Sequence, residues 1–113
     1  MKTLIVEKPW GKFEQFTHNL SSTVKILTVN SGEAFSLQSH KNRTEFWRVI
    51  SGSGEMEIGE VKSKIIEGDE TIISPGTKHR IFAGENGIKV LEISTGDFDE
   101  EDIIRYHDKY GRT

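Results

Sequence analysis

GEAFSLQSHKNRTEFWRVISG, residues 32–52, is the stretch around which the rest of the chain is read. It holds Gln38, His40 and Glu45, three side chains that can offer oxygen or nitrogen lone pairs to a metal ion. On a strand, Gln38 and His40 are two residues apart and share a face. The FWRVI run that follows Glu45 has the aromatic and β-branched content of a half-buried strand. Lys41, Asn42, Arg43 and Thr44 form a polar set suited to a turn, so the spacing predicts a hairpin. That hairpin would bring Glu45 beside the Gln38/His40 pair across the ladder. His79, in SPGTKHR, is the candidate fourth ligand.

Outward from this stretch the chain reads as short strands punctuated by turns. Residues 3–7 and 12–17 flank a Pro9-Trp10-Gly11 turn, and residues 22–29 alternate well. Ser51-Gly52-Ser53-Gly54 closes one strand, Gly59-Glu60 marks a tight hairpin, and Gly84–Gly87 reads as a loop before a last strand over 88–95. Eight to ten such strands argue an all-β sandwich or barrel. The run of acids from Asp99 to Asp102 before Ile103 predicts a short C-terminal helix, with the polar YHDKYGRT tail beyond it extended across the barrel.

Composition sets bounds. With 113 residues the chain is expected to form a single domain, residues 1–113, large enough for a core without staples. A net charge of −3 gives no basic footprint for nucleic acid. No cysteine is present, so any metal must use imidazole, carboxylate or amide ligands. No apolar run approaches the length of a membrane span, and the first residues are too short for a secretory core, so a cytoplasmic protein without membrane partners is expected.

A single histidine on a strand is usually structural, and His18 and His107 lack ligand partners at useful spacing. The spacing changes the weight. Gly32-x5-Gln38-x-His40-x4-Glu45-x6-Gly52, then Gly68-x5-Ser74-x-Gly76-x2-His79, resembles the two motifs of the cupin superfamily, with Gln38, Ser74 and Ala83 as departures. The resemblance implies a double-stranded β-helix, a jelly-roll barrel whose inner face carries the ligands. An amide oxygen in place of imidazole leans the site towards hard or borderline divalent ions such as Mn²⁺, Fe²⁺, Co²⁺ or Zn²⁺.

Pro9-Trp10-Gly11, Leu37-Gln38-x-His40, Arg43, Glu45, Trp47, Gly76-Thr77-x-His79-Arg80, Gly96-Asp97, Asp102-Ile103, Arg105, Asp108 and Tyr110-Gly111-Arg112 further resemble the type II phosphomannose isomerase domain. That family implies conversion of mannose 6-phosphate to fructose 6-phosphate through an enediolate. In many relatives this domain follows a nucleotidyltransferase that makes GDP-mannose. No Gly-rich pyrophosphorylase signature stands in these residues, so the expectation is the isomerase half alone. The chemistry needs a Lewis-acid cation, held by Gln38, His40, Glu45 and His79. It also needs a base, for which Glu45, Lys25 and Glu92 are candidates. Arg105 and Arg112 are candidates for phosphate or enediolate contacts, and Trp47 for a sugar face, against ordinary salt bridges and core packing. The alternatives are a non-catalytic cupin that binds a sugar phosphate, or another metal-dependent cupin enzyme. A homodimer is expected, because cupins commonly pair edge strands.

Overall fold

Two long strands carry the architecture. In the computed structural model, which describes residues 3–108, 110 and 111, nine strands follow one another. They are β1 Leu4–Lys8, β2 Gly11–Gln15, β3 Ser22–Val29, β4 Leu37–Ser39, β5 Arg43–Ile58, β6 Val61–Ile66, β7 Glu70–Ile73, β8 His79–Gly96 and β9 Ile104–His107. The chain is all-β, as expected, and no helix long and apolar enough to cross a membrane stands among the described residues.

β5 and β8 pair antiparallel almost from end to end, with Arg43 opposite Gly96 and Ile58 opposite His79. The first half of β5 adds β7 on its far side, while β3 lines the second half of β8. The other halves carry β6 on β5 and β4 on β8, and β9 extends β4. Glu45 sits opposite Ser94, fifteen residues from His79, a span of about 50 Å along a straight strand. Yet Glu45 and His79 approach to 3.0 Å. The pair of strands must therefore bend sharply and face its two halves towards each other, which is the jelly-roll expectation realised.

The bend lies where the sequence suggested strand ends. Gly52 pairs with Ile88 and Gly54 with Ala83, so Ser53 alone spans the interval that Gly84–Gly87 spans on β8. A large bulge of this kind turns a sheet corner. At Gly52, with φ of +80°, and at Gly54, a side-chain carbon would overlap the backbone carbonyl of Gly87 or Phe82. These glycines permit close strand approach within β5 and β8 rather than ending them.

Two other expectations are corrected. The Gln38/His40 strand and the FWRVI strand do not form a hairpin. β4 pairs with β8 and β9, and residues 40–42 cross between the two halves of the barrel. The C-terminal helix is a pair of tight turns. The Asp99 carboxylate accepts the Glu101 N–H at 2.9 Å, and the Asp102 carboxylate accepts the N–H groups of Lys41 and Asn42, each at 2.9 Å. Carboxylates engaged this way compete with helix continuation, and the chain leaves the turn to join β4 as β9. The tail up to His107 is thus extended across the barrel; Arg112 lies outside the described residues.

Inward positions along each long strand divide into two groups. Glu45 gives way to Trp47 and Val49 on β5, His79 to Ile81 and Ala83 on β8, and Ser94 and Glu92 to Val90 and Ile88 further along β8. The apolar group joins Val29, Ile65 and Ile73 in one core, with Leu27, Phe35, Met56 and Ile58 packed against it. The polar group gathers at the other end of the barrel.

Candidate metal centre

His40, Glu45 and His79 meet at that polar end, 3%, 2% and 1% exposed. Each comes from a different place: the end of β4, the start of β5 and the start of β8. The His79 Nε2 atom lies 3.0 Å from Glu45 Oε1, and His40 Nε2 lies 3.6 Å from the same oxygen. One ligand atom from each residue falls within 4.8 Å of the others.

Both imidazoles have their tautomers set from behind. His40 Nδ1–H donates to the Asp102 carbonyl at 2.6 Å, and His79 Nδ1–H donates to the Thr77 carbonyl at 2.8 Å. Each ring therefore turns an unprotonated Nε2 towards Glu45. Glu45 Oε1 and His79 Nε2 are buried, and neither has a hydrogen-bond partner. Donors bound about 2.1 Å from a common ion stand roughly 3.0–3.5 Å apart in octahedral or tetrahedral geometry. The donor set and its unsatisfied buried atoms fit a divalent cation.

Arg43 backs the carboxylate. Its Nε lies 3.4 Å from Glu45 Oε2, and Ser94 Oγ donates to the same oxygen at 3.5 Å, leaving Oε1 for the centre. Arg43 Nη2 is 3.0 Å from both His40 ring nitrogens. An atom equidistant from the two lies over the ring rather than along either in-plane lone pair. Burial pushes the Glu45 carboxyl up, but the His79 ring against its oxygen, with the His40 ring and the Arg43 guanidinium nearby, outweighs it and holds it low. His40 is held below its usual range, chiefly by burial, and so stays a neutral ligand.

The remaining candidates are placed as follows. Gln38 lies directly opposite His79 on one side and Arg105 on the other, so the three share one inward row. The Gln38 amide oxygen accepts from Ser36 Oγ at 2.8 Å. Trp47 is corrected from a sugar platform to a core residue. It is 2% exposed, meets Phe35 and His79 edge-on, and donates Nε1–H to Glu92 Oε2 at 3.0 Å. Lys25 stands opposite Glu92, but its ammonium pairs with Glu100 and lies 4.6 Å above the Phe98 ring. Glu45 is corrected as a base, because Oε1 faces the two imidazoles, Oε2 faces Arg43 and Ser94, and these neighbours lower its affinity for a proton.

Pairing signals around residues 98–102 escaped the sequence reading. Asp102 and Phe98 reach the site from about sixty positions away, and the acid run and the Asp102-Ile103 motif marked the segment without naming its partners.

Glu92 gives the site a pH signature. Burial, with the Glu45 charge beside it, pushes its carboxyl from 4.5 up to about 7. The folded chain thus keeps a proton that the unfolded chain releases, so the metal-free protein loses stability as pH rises from 4.5 through 7. The full loss is about 3 kcal/mol. Thermal melts of the metal-free Glu92→Gln variant are expected to lack this part of the slope; parallel slopes for the two chains would refute the assignment.

Residues 2–108 match the family model described as mannose-6-phosphate isomerase C-terminal. The xanthan biosynthesis protein XanB of Xanthomonas campestris pv. campestris is 36% identical over 110 residues, covering 96% of this chain and 24% of that one. A mannose-1-phosphate guanylyltransferase of Salmonella montevideo is also 36% identical over 110 residues, covering 95% and 23%. The chain therefore spans about a quarter of the length of the curated relatives it matches. A cupin protein of Bacteroides fragilis superposes with a TM-score of 0.62 at 25% identity, covering 72% of this chain and 74% of that one. These relatives overturn the expected aldose–ketose isomerisation. They are named for guanylyl transfer to mannose 1-phosphate or for polysaccharide synthesis, which is different chemistry.

Proposed function

The chain belongs to the mannose-6-phosphate isomerase C-terminal family, and on that premise we propose that it is a metal-binding cupin module serving mannose 1-phosphate activation. In this reading it holds a phosphorylated sugar rather than transforming it. The observation that carries the reading is the convergence of His40 Nε2, His79 Nε2 and Glu45 Oε1, with both ring tautomers already set.

His40, Glu45 and His79 would hold the ion, with the Gln38 amide beside His79 as a fourth donor. A divalent ion there supplies Lewis acidity to a ligand oxygen. The borderline donor set suits Zn²⁺, Mn²⁺, Co²⁺ or Fe²⁺. The chain's own groups then select an anion. Arg43 is a buried guanidinium at the centre, and Arg105 continues the Gln38–His79 row. Trp47 and the apolar core seal the far side against water.

Calorimetric titration tests this. The protein, stripped with chelator and reloaded, is expected to take one divalent ion per chain. It should then bind mannose 1-phosphate, and lose that binding when the ion is removed. Sugar-phosphate binding of equal strength in His79→Ala, or no stoichiometric ion in the native chain, would overturn the proposal.

A further inference from the structure

Half of the ligand set is held by a distant part of the chain. β4, which carries Gln38 and leads into His40, is flanked on its outer side by β9, with Gln38 opposite Arg105 and Ser39 opposite Ile104. Ser39 Oγ and Tyr106 Oη hydrogen-bond at 2.9 Å. Just before β9, the turn segment is tied at several points around the centre. Arg43 donates to the Asp99 carbonyl at 3.3 Å, and its guanidinium lies 4.4 Å over the Phe98 ring. Lys25 pairs with Glu100. Asp102 makes the decisive contacts, its carbonyl fixing His40 and its carboxylate capping the two N–H groups that follow His40. By contrast, His79 takes its tautomer from Thr77, two residues away.

We propose that residues 98–107 form a clasp that completes the metal centre, with Asp102 as its positioning residue, so that ion binding and clasp docking are energetically coupled. This rests on the metal reading above. The physical basis is that the donor bond from its other nitrogen fixes an imidazole ligand's tautomer and orientation, and the loss of such an outer partner weakens metal binding about 10–100-fold. The Asp102 side chain does not touch the ring. It pins the backbone so that its own carbonyl reaches Nδ1. Coupling of this kind is reciprocal: whatever the clasp contributes to ion affinity, the ion returns to clasp docking.

The test uses the full chain with Co²⁺ as the probe. Asp102→Ala is expected to bind Co²⁺ about 10–100-fold more weakly than the native chain. Asp102→Asn, which keeps one acceptor for the two N–H groups, should fall between them and remains informative should the alanine variant fold poorly. Nitrogen-15 spectra of the metal-free chains report the ring directly: His40 should be the Nδ1–H tautomer in the native protein and a mixture in Asp102→Ala. Hydrogen exchange at residues 98–107 should slow on Co²⁺ addition. Equal Co²⁺ affinity in native and variant chains, with an unchanged His40 tautomer, overturns the clasp while leaving the metal centre intact. A native chain that binds no Co²⁺ overturns the metal reading, and the coupling with it.

Discussion

Glu45→Gln is expected to abolish stoichiometric divalent-ion binding and to destabilise the metal-free fold at the same time. Among the described residues, Glu45 is the one whose carboxylate both His40 and His79 as well as Arg43 approach. The ion loses its only anionic ligand among the three, so affinity should fall by more than the roughly 100-fold that outer-shell changes reach. Arg43 remains buried at 6% exposure without its carboxylate. Stranding a buried charge in this way costs about 3–5 kcal/mol. Two measurements check it: metal content after dialysis, and the chemical-denaturation midpoint of the stripped protein. A variant that retains one tightly held ion would remove Glu45 from the centre.

Gly52→Ala is expected to cost about 4 kcal/mol, well into the range reserved for a named structural defect. Two penalties add. The backbone there has a φ of +80°, which a side chain disfavours by about 1–2 kcal/mol. The new methyl would also overlap the Gly87 carbonyl, a backbone atom that cannot swing aside. For a chain of this size the melting temperature should drop by about 15 °C. Gly59→Ala separates the two penalties. It also has positive φ, +60°, but nothing lies within 4 Å, so it should show the conformational cost alone. Equal losses at the two positions would mean that close approach at the corner contributes nothing.

Much of this was legible before any coordinates. Turn residues and alternation gave the all-β class, and motif spacing brought Gln38, His40, Glu45 and His79 into one set. The route was misread, however. Glu45 reaches His40 across the barrel interior, and a hairpin was the wrong reason for a correct neighbour. Glycines caused the second error. Gly52, Gly54, Gly84 and Gly87 look like turn residues, and only the register shows that they let two continuous strands fold over each other. Asp102 was invisible as a partner because its key group is a main-chain carbonyl, which carries no residue identity. The chemistry was over-read for a different reason. Family motifs report what holds a ligand, whereas turnover depends on a base of suitable proton affinity, and the neighbours of Glu45 hold its affinity low.

The lengthwise division of the barrel has an evolutionary consequence. Cohesion comes from Val49, Ile81, Val90 and their neighbours, while the polar inward residues Glu45, His79 and Ser94 stand two to four positions away along the same strands. A lineage can therefore rewrite Gln38 or Ser94 to suit a new guest while leaving the apolar cluster untouched. The scaffold behaves like a socket with interchangeable contacts, and its descendants should diverge first at one rim.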